Sequence, residues 1–245
     1  KAIRRQRQMC IRDSLIILSR IAKERRLLIM VKIAASLHSG PKLHMSEILD
    51  QLKKADVDLL HIDVMDSIFV PEIDFGTNFT KEISQYTDIP LDIHMMVNNP
   101  SRLINEYALS TTTDIGIHYE ATQQLHRDLF QIKQLNKKAE VIINPGTPIN
   151  SLSAVLNFVD QIMVMSVDPG CSSKSPFIPE VASKIKKLDQ LRKEKNYHYL
   201  IEADGGITDK NLKVLVDNGL DIAVSGSFIF NGDIRQQVQK LKEIK

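Results

Sequence analysis

The chain has 245 residues, 43% hydrophobic and 25% charged, with a net charge of +2. This is ordinary globular composition, long enough to bury a sizeable core. Only two cysteines occur, Cys10 and Cys171, without metal-type spacing, which excludes a disulfide framework and points to a reducing, cytoplasmic setting; no apolar run approaches the roughly 20 residues that span a bilayer.

Residues 1–29 hold nine Lys/Arg and two acids, a balance of +7, so the rest of the chain carries −5. A mildly acidic body gives no reason to expect nucleic-acid binding, and no membrane partner is expected either. The simplest reading of this basic extension is that it is disordered or not native. Met30, directly before the first strand-like run, is a natural start. A targeting segment and a basic helix for an acidic surface are the alternatives. Fold reasoning therefore begins at Met30, with residues 30–245 as a single catalytic domain.

From there, apolar runs alternate with amphipathic ones. Eight runs read as strands: 31–36, 59–65, 90–97, 114–119, 139–145, 161–167, 199–204 and 221–226. Helix-like stretches lie between them. Among these, 46–55 starts on Ser46 with Glu47 close behind, 99–110 opens on Asn-Pro, and 208–219 opens on Thr208 and ends on Gly219. The spacing is that of βαβ units, hence parallel strands. Eight such units predict a single (β/α)8 TIM barrel; an open doubly wound sheet fits less well, because no Gly-rich turn follows the first run.

Ionisable groups sit inside runs that otherwise want to be buried. Ser36 ends the first run, His61 and Asp63 share one face of the second, His94 lies in the third and Asp204 ends the seventh. In a barrel these positions converge on the C-terminal mouth, where active sites lie. Two imidazoles and two carboxylates there suit Zn²⁺, Fe²⁺, Mn²⁺ or Co²⁺ better than Mg²⁺. Met65, Met96 and Met165 follow the same parity and would wall the site. "ADGGIT" (203–208) and "SGSFIF" (225–230) are Gly-containing turns into helices, whose free N–H groups can cradle phosphate.

The pieces "IAASL", "HIDVMDSIFVP", "PLDIHMMVNNP", "IHYEAT", "NPGTPI", "VMSVDPG", "FIPE", "EADGGIT" and "SGSFIF", in this order over about residues 32–230, resemble the ribulose-phosphate 3-epimerase family. The resemblance implies a barrel enzyme that interconverts D-ribulose 5-phosphate and D-xylulose 5-phosphate in pentose phosphate metabolism. It implies a divalent metal held by His61, Asp63, His94 and Asp204, with Asp63 and Asp204 also exchanging the proton. Ser36, His94, Met65, Met96 and Met165 would contact substrate. Gly170, Gly205, Gly206, Gly226 and Ser227 match the turns that bind it at its phosphate, and a homo-oligomer is expected.

The chain departs from the family pattern at Ala35 (usually Pro), at Ser67–Ile68 (usually Gly-His) and in "PGCSSKSPFIP". In that loop Ser172 and Ser173 replace glycines, Lys174 replaces Gln and Pro176 is extra. These changes admit another ketose phosphate, such as allulose 6-phosphate, as substrate. A non-catalytic sugar-phosphate-binding barrel is the further alternative. A Schiff-base aldolase is disfavoured, since the strand runs contain only Lys32, at the wrong end.

Overall fold

The computed structural model describes residues 30–170 and 175–244. The expectations for the basic extension, for Cys10 and Cys171, and for Ser172, Ser173 and Lys174 lie outside these residues.

All eight predicted strands form: β1 (Lys32–Ser36), β2 (Leu59–Asp66), β4 (Leu91–Met96), β5 (Thr112–His118), β6 (Lys138–Ile143), β7 (Gln161–Met165), β8 (Leu200–Asp204) and β9 (Ile222–Ser225). They pair in parallel, and β1 bonds both β2 and β9, so the sheet closes into an eight-stranded barrel. An unpredicted two-residue strand, β3 (Ile73–Asp74), folds back antiparallel on the end of β2. It is too short to carry an alternation signal.

The strand period of two sets the architecture. Leu60, Ile62 and Val64 of β2, with Ile93 and Met95 of β4, join the large core between barrel and helices. Their neighbours face inward. Near the N-terminal end the interior is closed by Ala34, Leu59, Ile222 and Val224. Toward the other end the same parity turns His61, Asp63, His94 and Asp204 into the barrel.

The helices are α1 (Met45–Lys54), α2 (Thr77–Tyr86), α3 (Ile104–Tyr107), α4 (Leu125–Gln134), α5 (Val181–Lys195), α6 (Leu212–Asp217), α7 (Ser227–Phe230) and α8 (Ile234–Lys242). Each longer one buries an apolar stripe, as with Ile48, Leu49 and Leu52 of α1. Four expectations need correction. The 208–219 segment is helical only over α6, preceded by Asn211 rather than Thr208, because Thr208 N–H is taken by Asn211 Oδ1 in a turn before the helix. Ser46 lies inside α1 rather than capping it, because Met45 is drawn into the first turn by its own burial. The 99–110 segment splits into a 3-10 turn and the one-turn α3, after Asn99 takes a left-handed conformation. Between β6 and β7 the chain makes a 3-10 turn (Ile149–Leu152) where a full helix was expected.

Lys138 begins β6, so Lys32 is not the sole strand lysine. Both are exposed at the N-terminal end, so the argument against a Schiff base holds.

Ser67, directly after β2, has φ of 60°. A side chain is strained there and glycine is not. We expect Ser67→Gly to stabilise the protein by about 0.5–1 kcal/mol, measured by urea unfolding; a destabilised variant would show that the Ser67 side chain offsets its strain.

Candidate active site

The inward parity of β2, β4 and β8 brings four donor atoms together. His61 Nε2 lies 3.5 Å from Asp63 Oδ1, 3.2 Å from His94 Nδ1 and 3.8 Å from Asp204 Oδ2. His94 Nδ1 lies 3.3 Å from Asp63 Oδ1 and 3.5 Å from Asp204 Oδ2. Metal–donor bonds of about 2.0–2.2 Å in a tetrahedron place neighbouring donors about 3.3–3.6 Å apart. The four side chains therefore fit a divalent cation of the zinc type.

The outer contacts leave the right lone pairs free. His61 Nδ1 bonds Asp92, buried beside it on β4. With its Nδ1–H donating to that carboxylate, Nε2 is the nitrogen left free to bind a cation. His94 Nε2 lies 2.8 Å from His118 Nε2. For His94 Nδ1 to bind a cation, His94 carries its proton on Nε2 and His118 accepts it. His118 is then protonated on Nδ1, which faces Glu120 Oε2 at 3.5 Å. Burial, with the nearby His94, pushes His118 down to about 4, so it is a neutral acceptor.

Without a cation, protons balance the charge. Burial opposes an imidazolium at His61, but the carboxylates of Asp92 and Asp63 outweigh it and raise His61 well above its ordinary value. Burial likewise opposes a charged Asp63, yet His61 and then His94 hold it well below the carboxylate range. Ser36 Oγ donates to Asp63 Oδ2 at 2.7 Å, so one oxygen is fixed while the other faces the histidines.

A cavity of about 430 Å3 opens above this set. Ser36, Asp63 and Asp204 line it, as do the side chains of Met65, Met96 and Met165. His61 and His94 are fully buried, in the site but not on the cavity wall. Gly170, Gly205, Gly206, Gly226 and Ser227 line it too. Every predicted site residue is thus brought to one place.

The two turns need their glycines. Gly205 has φ of +114°, and a Cβ there would lie 2.4 Å from Val167 Cγ2. Ser166 Oγ holds that turn by donating to the carbonyls of Asp204 and Gly205 at 2.8 and 2.6 Å. At Gly226 a Cβ would meet Ser39 Oγ at 2.5 Å, because the β1 loop packs against this turn.

Sequence reading missed several partners. Asp92 shares the inward face of His94 by strand parity, and only the sheet register sets it beside His61. Beneath His61 lie Asp114, Glu140 and Glu202, all buried. Burial and then the Asp92 charge push Glu140 up to about 8 and raise Asp114 and Glu202 well above their ordinary values. Gln161 donates to both Glu140 and Glu202. His38 and Asn231 also line the cavity and were not singled out.

The match to the family described as Ribulose-phosphate 3 epimerase spans residues 32–230, most of the chain. The chain belongs to the ribulose-phosphate 3-epimerase family. Membership makes it an enzyme, an epimerase of the isomerase class. Among relatives, the ribulose-phosphate 3-epimerase of Aquifex aeolicus is 35% identical over 216 residues, covering 88% of this chain and 97% of that one. That of Synechocystis is 37% identical, covering 82% and 88%. The chloroplastic ribulose-5-phosphate-3-epimerase of Arabidopsis thaliana is 34% identical, covering 87% and 76%. A 3-keto-L-gulonate-6-phosphate decarboxylase from Vibrio cholerae matches in structure with a TM-score of 0.65 at 13% identity, covering 87% of this epimerase chain and 95% of its own. A tryptophan synthase alpha-subunit from Pyrococcus furiosus does so with 0.61 at 13%, covering 86% and 97%. Both likenesses concern the barrel fold alone.

Two outcomes are expected. Asp92→Asn, which loses the charge behind His61, should weaken divalent-metal affinity about 10–100-fold, read by chelator competition; an affinity within twofold of the parent contradicts the role given to Asp92. Glu140 binds its proton more tightly folded than unfolded, so its contribution to stability declines as pH rises from about 4.5 toward about 8. In Glu140→Gln melting temperature should fall less over that window than in the parent.

Proposed function

We propose that this family member epimerises C3 of a ketose phosphate, D-ribulose 5-phosphate to D-xylulose 5-phosphate, with a divalent metal held by His61, Asp63, His94 and Asp204. The observation that carries the reading is the four-donor set with donor spacings of 3.2–3.8 Å at the floor of the cavity. The names of the relatives support the substrate. Zn²⁺, Fe²⁺, Mn²⁺ and Co²⁺ all suit two nitrogen and two oxygen donors.

Inversion at C3 requires removal of a proton next to a ketone and return of one to the opposite face. The bound metal supplies Lewis acidity, lowering the energy of negative charge on the substrate oxygens. Asp63, kept ionised by its histidine neighbours and oriented by Ser36, is the base on one side. Asp204, which reaches both histidines at 3.8 and 3.5 Å and is more open to the cavity than Asp63, would be the acid on the other. The Gly205–Gly206 and Gly226–Ser227 turns offer backbone N–H groups to the phosphate, with Gly170 facing the same space. A substrate anchored there cannot turn over between proton transfers, so two carboxylates are needed. Met65 and Met96 pack against each other with Val70, and Met165 packs with Val167, giving the enediolate a weakly polar wall.

No helix among the described residues is long and apolar enough to cross a membrane. A cytoplasmic location, a role in pentose phosphate interconversion and a homo-oligomeric state belong to the proposal. Allulose 6-phosphate remains the competing substrate, resting on changes at 172–174. A non-catalytic binder would have no use for both carboxylates.

The test is incubation with D-ribulose 5-phosphate in D₂O with Zn²⁺, Fe²⁺, Mn²⁺ or Co²⁺ supplied. Deuterium at C3 and xylulose 5-phosphate are expected, and absence of both sinks the reading for that substrate. Asp63→Asn and Asp204→Asn should each lower kcat by about 10²–10⁴-fold; parental activity in either would overturn the two-carboxylate mechanism.

A further inference from the structure

Among the described residues that line the cavity, Asp63 and Asp204 bring negative charge, and His38 is the only side chain able to carry a positive one. A divalent cation held by Asp63 and Asp204 would offset those two charges, and the backbone turns that face the phosphate have no formal charge, so His38 is the one cationic side chain left to meet it among these residues. His38 lies in the β1 loop, one residue before Ser39, which packs against Gly226. The loop therefore joins the proton-transfer end, at Ser36 and Asp63, to the Gly226–Ser227 turn.

The imidazole is built in. Its Nδ1 lies 2.7 Å from Asp74 Oδ2 on β3, and Lys42 Nζ lies 3.0 Å from the same oxygen. Lys42 also donates to the carbonyls of Leu37 and His38, at 3.0 and 2.8 Å, fixing the loop from below. Glu72 Oε2 is 3.6 Å from Nε2. The ring is one-fifth exposed, enough to reach a ligand but not to swing free.

We propose that His38 is a substrate-binding residue, an imidazolium that contacts the phosphate group at the cavity mouth. The inference rests on the ketose-phosphate reading above. The groups facing His38 are Asp74 on β3, Glu72 just before it, Lys42 at the start of the 3-10 turn Lys42–His44 and, farther off, Asp63 on β2. The Asp74 hydrogen bond raises His38 above its ordinary value; burial opposes this, Asp63 and the Asp74 charge add to it, and Lys42 subtracts. The positive form therefore persists to higher pH than in a free histidine, and phosphate binding weakens as pH rises through that raised value.

The experiment titrates inorganic phosphate, by calorimetry, into the full chain and into His38→Gln and His38→Arg, and measures KM and kcat of each for ribulose 5-phosphate. His38→Gln should bind phosphate about tenfold more weakly and raise KM about tenfold, with kcat falling less than about threefold. His38→Arg, which restores the charge, should bind phosphate within about threefold of the parent. Equal phosphate affinity in His38→Gln and the parent overturns the proposal. So does an arginine variant as weak as the glutamine one, because His38 would then only tie its loop to Asp74. Phosphate titration needs no turnover. A parent that binds phosphate through His38 but leaves ribulose 5-phosphate unchanged upholds this inference and overturns the substrate reading.

Discussion

The constraint on which this structure turns is the burial of charge inside the barrel. Two imidazoles lie 3.2–3.8 Å from each other and from two carboxylates, with both histidines out of contact with solvent. Such a set persists only if its charges are balanced by a cation or shared protons. Much of the surrounding sequence serves that balance. Asp92 fixes one histidine, His118 the other, and Ser36 pins the free oxygen of Asp63. The barrel supplies what a loop could not, since donors on three adjacent or facing strands keep their spacing by the register of the sheet.

The arrangement is costly elsewhere. Asp114, Glu140 and Glu202 are buried beneath His61, and burial favours their neutral forms. Glu140 occupies space that a side chain on Gly116 would need, its Oε2 lying 2.3 Å from where that Cβ would stand. This polar layer gives the interior less apolar contact than a core of branched aliphatic residues. Ser67 adds backbone strain at the end of β2. Against these stand the outward faces of all eight barrel strands, packed under the helices in one continuous core.

Much of this was legible in the sequence, for a physical reason. Parallel strands buried on both faces read as apolar runs, so an acid or histidine inside one stands out, and a period of two says which way it points. That parity brings His61, Asp63, His94 and Asp204 to one face, and the family resemblance implies their roles. Helix starts are less legible. Ser46 has the chemistry of a cap, but the burial of Met45 moved the boundary. The missing helix after β6 had no local signature. Asp92 and Glu202 look in sequence like ordinary strand acids, and only register shows them behind His61. His38 was hidden because its partner, Asp74, lies 36 residues away on a strand two residues long.

The central claim is that one divalent cation binds where the four donors converge. Anomalous diffraction from crystals grown with Zn²⁺ or Mn²⁺ tests it directly. We expect a single strong peak bonded to His61 Nε2, Asp63, His94 Nδ1 and Asp204. A map with no peak there, or with the peak among Asp92, Asp114 and Glu140 instead, would contradict it.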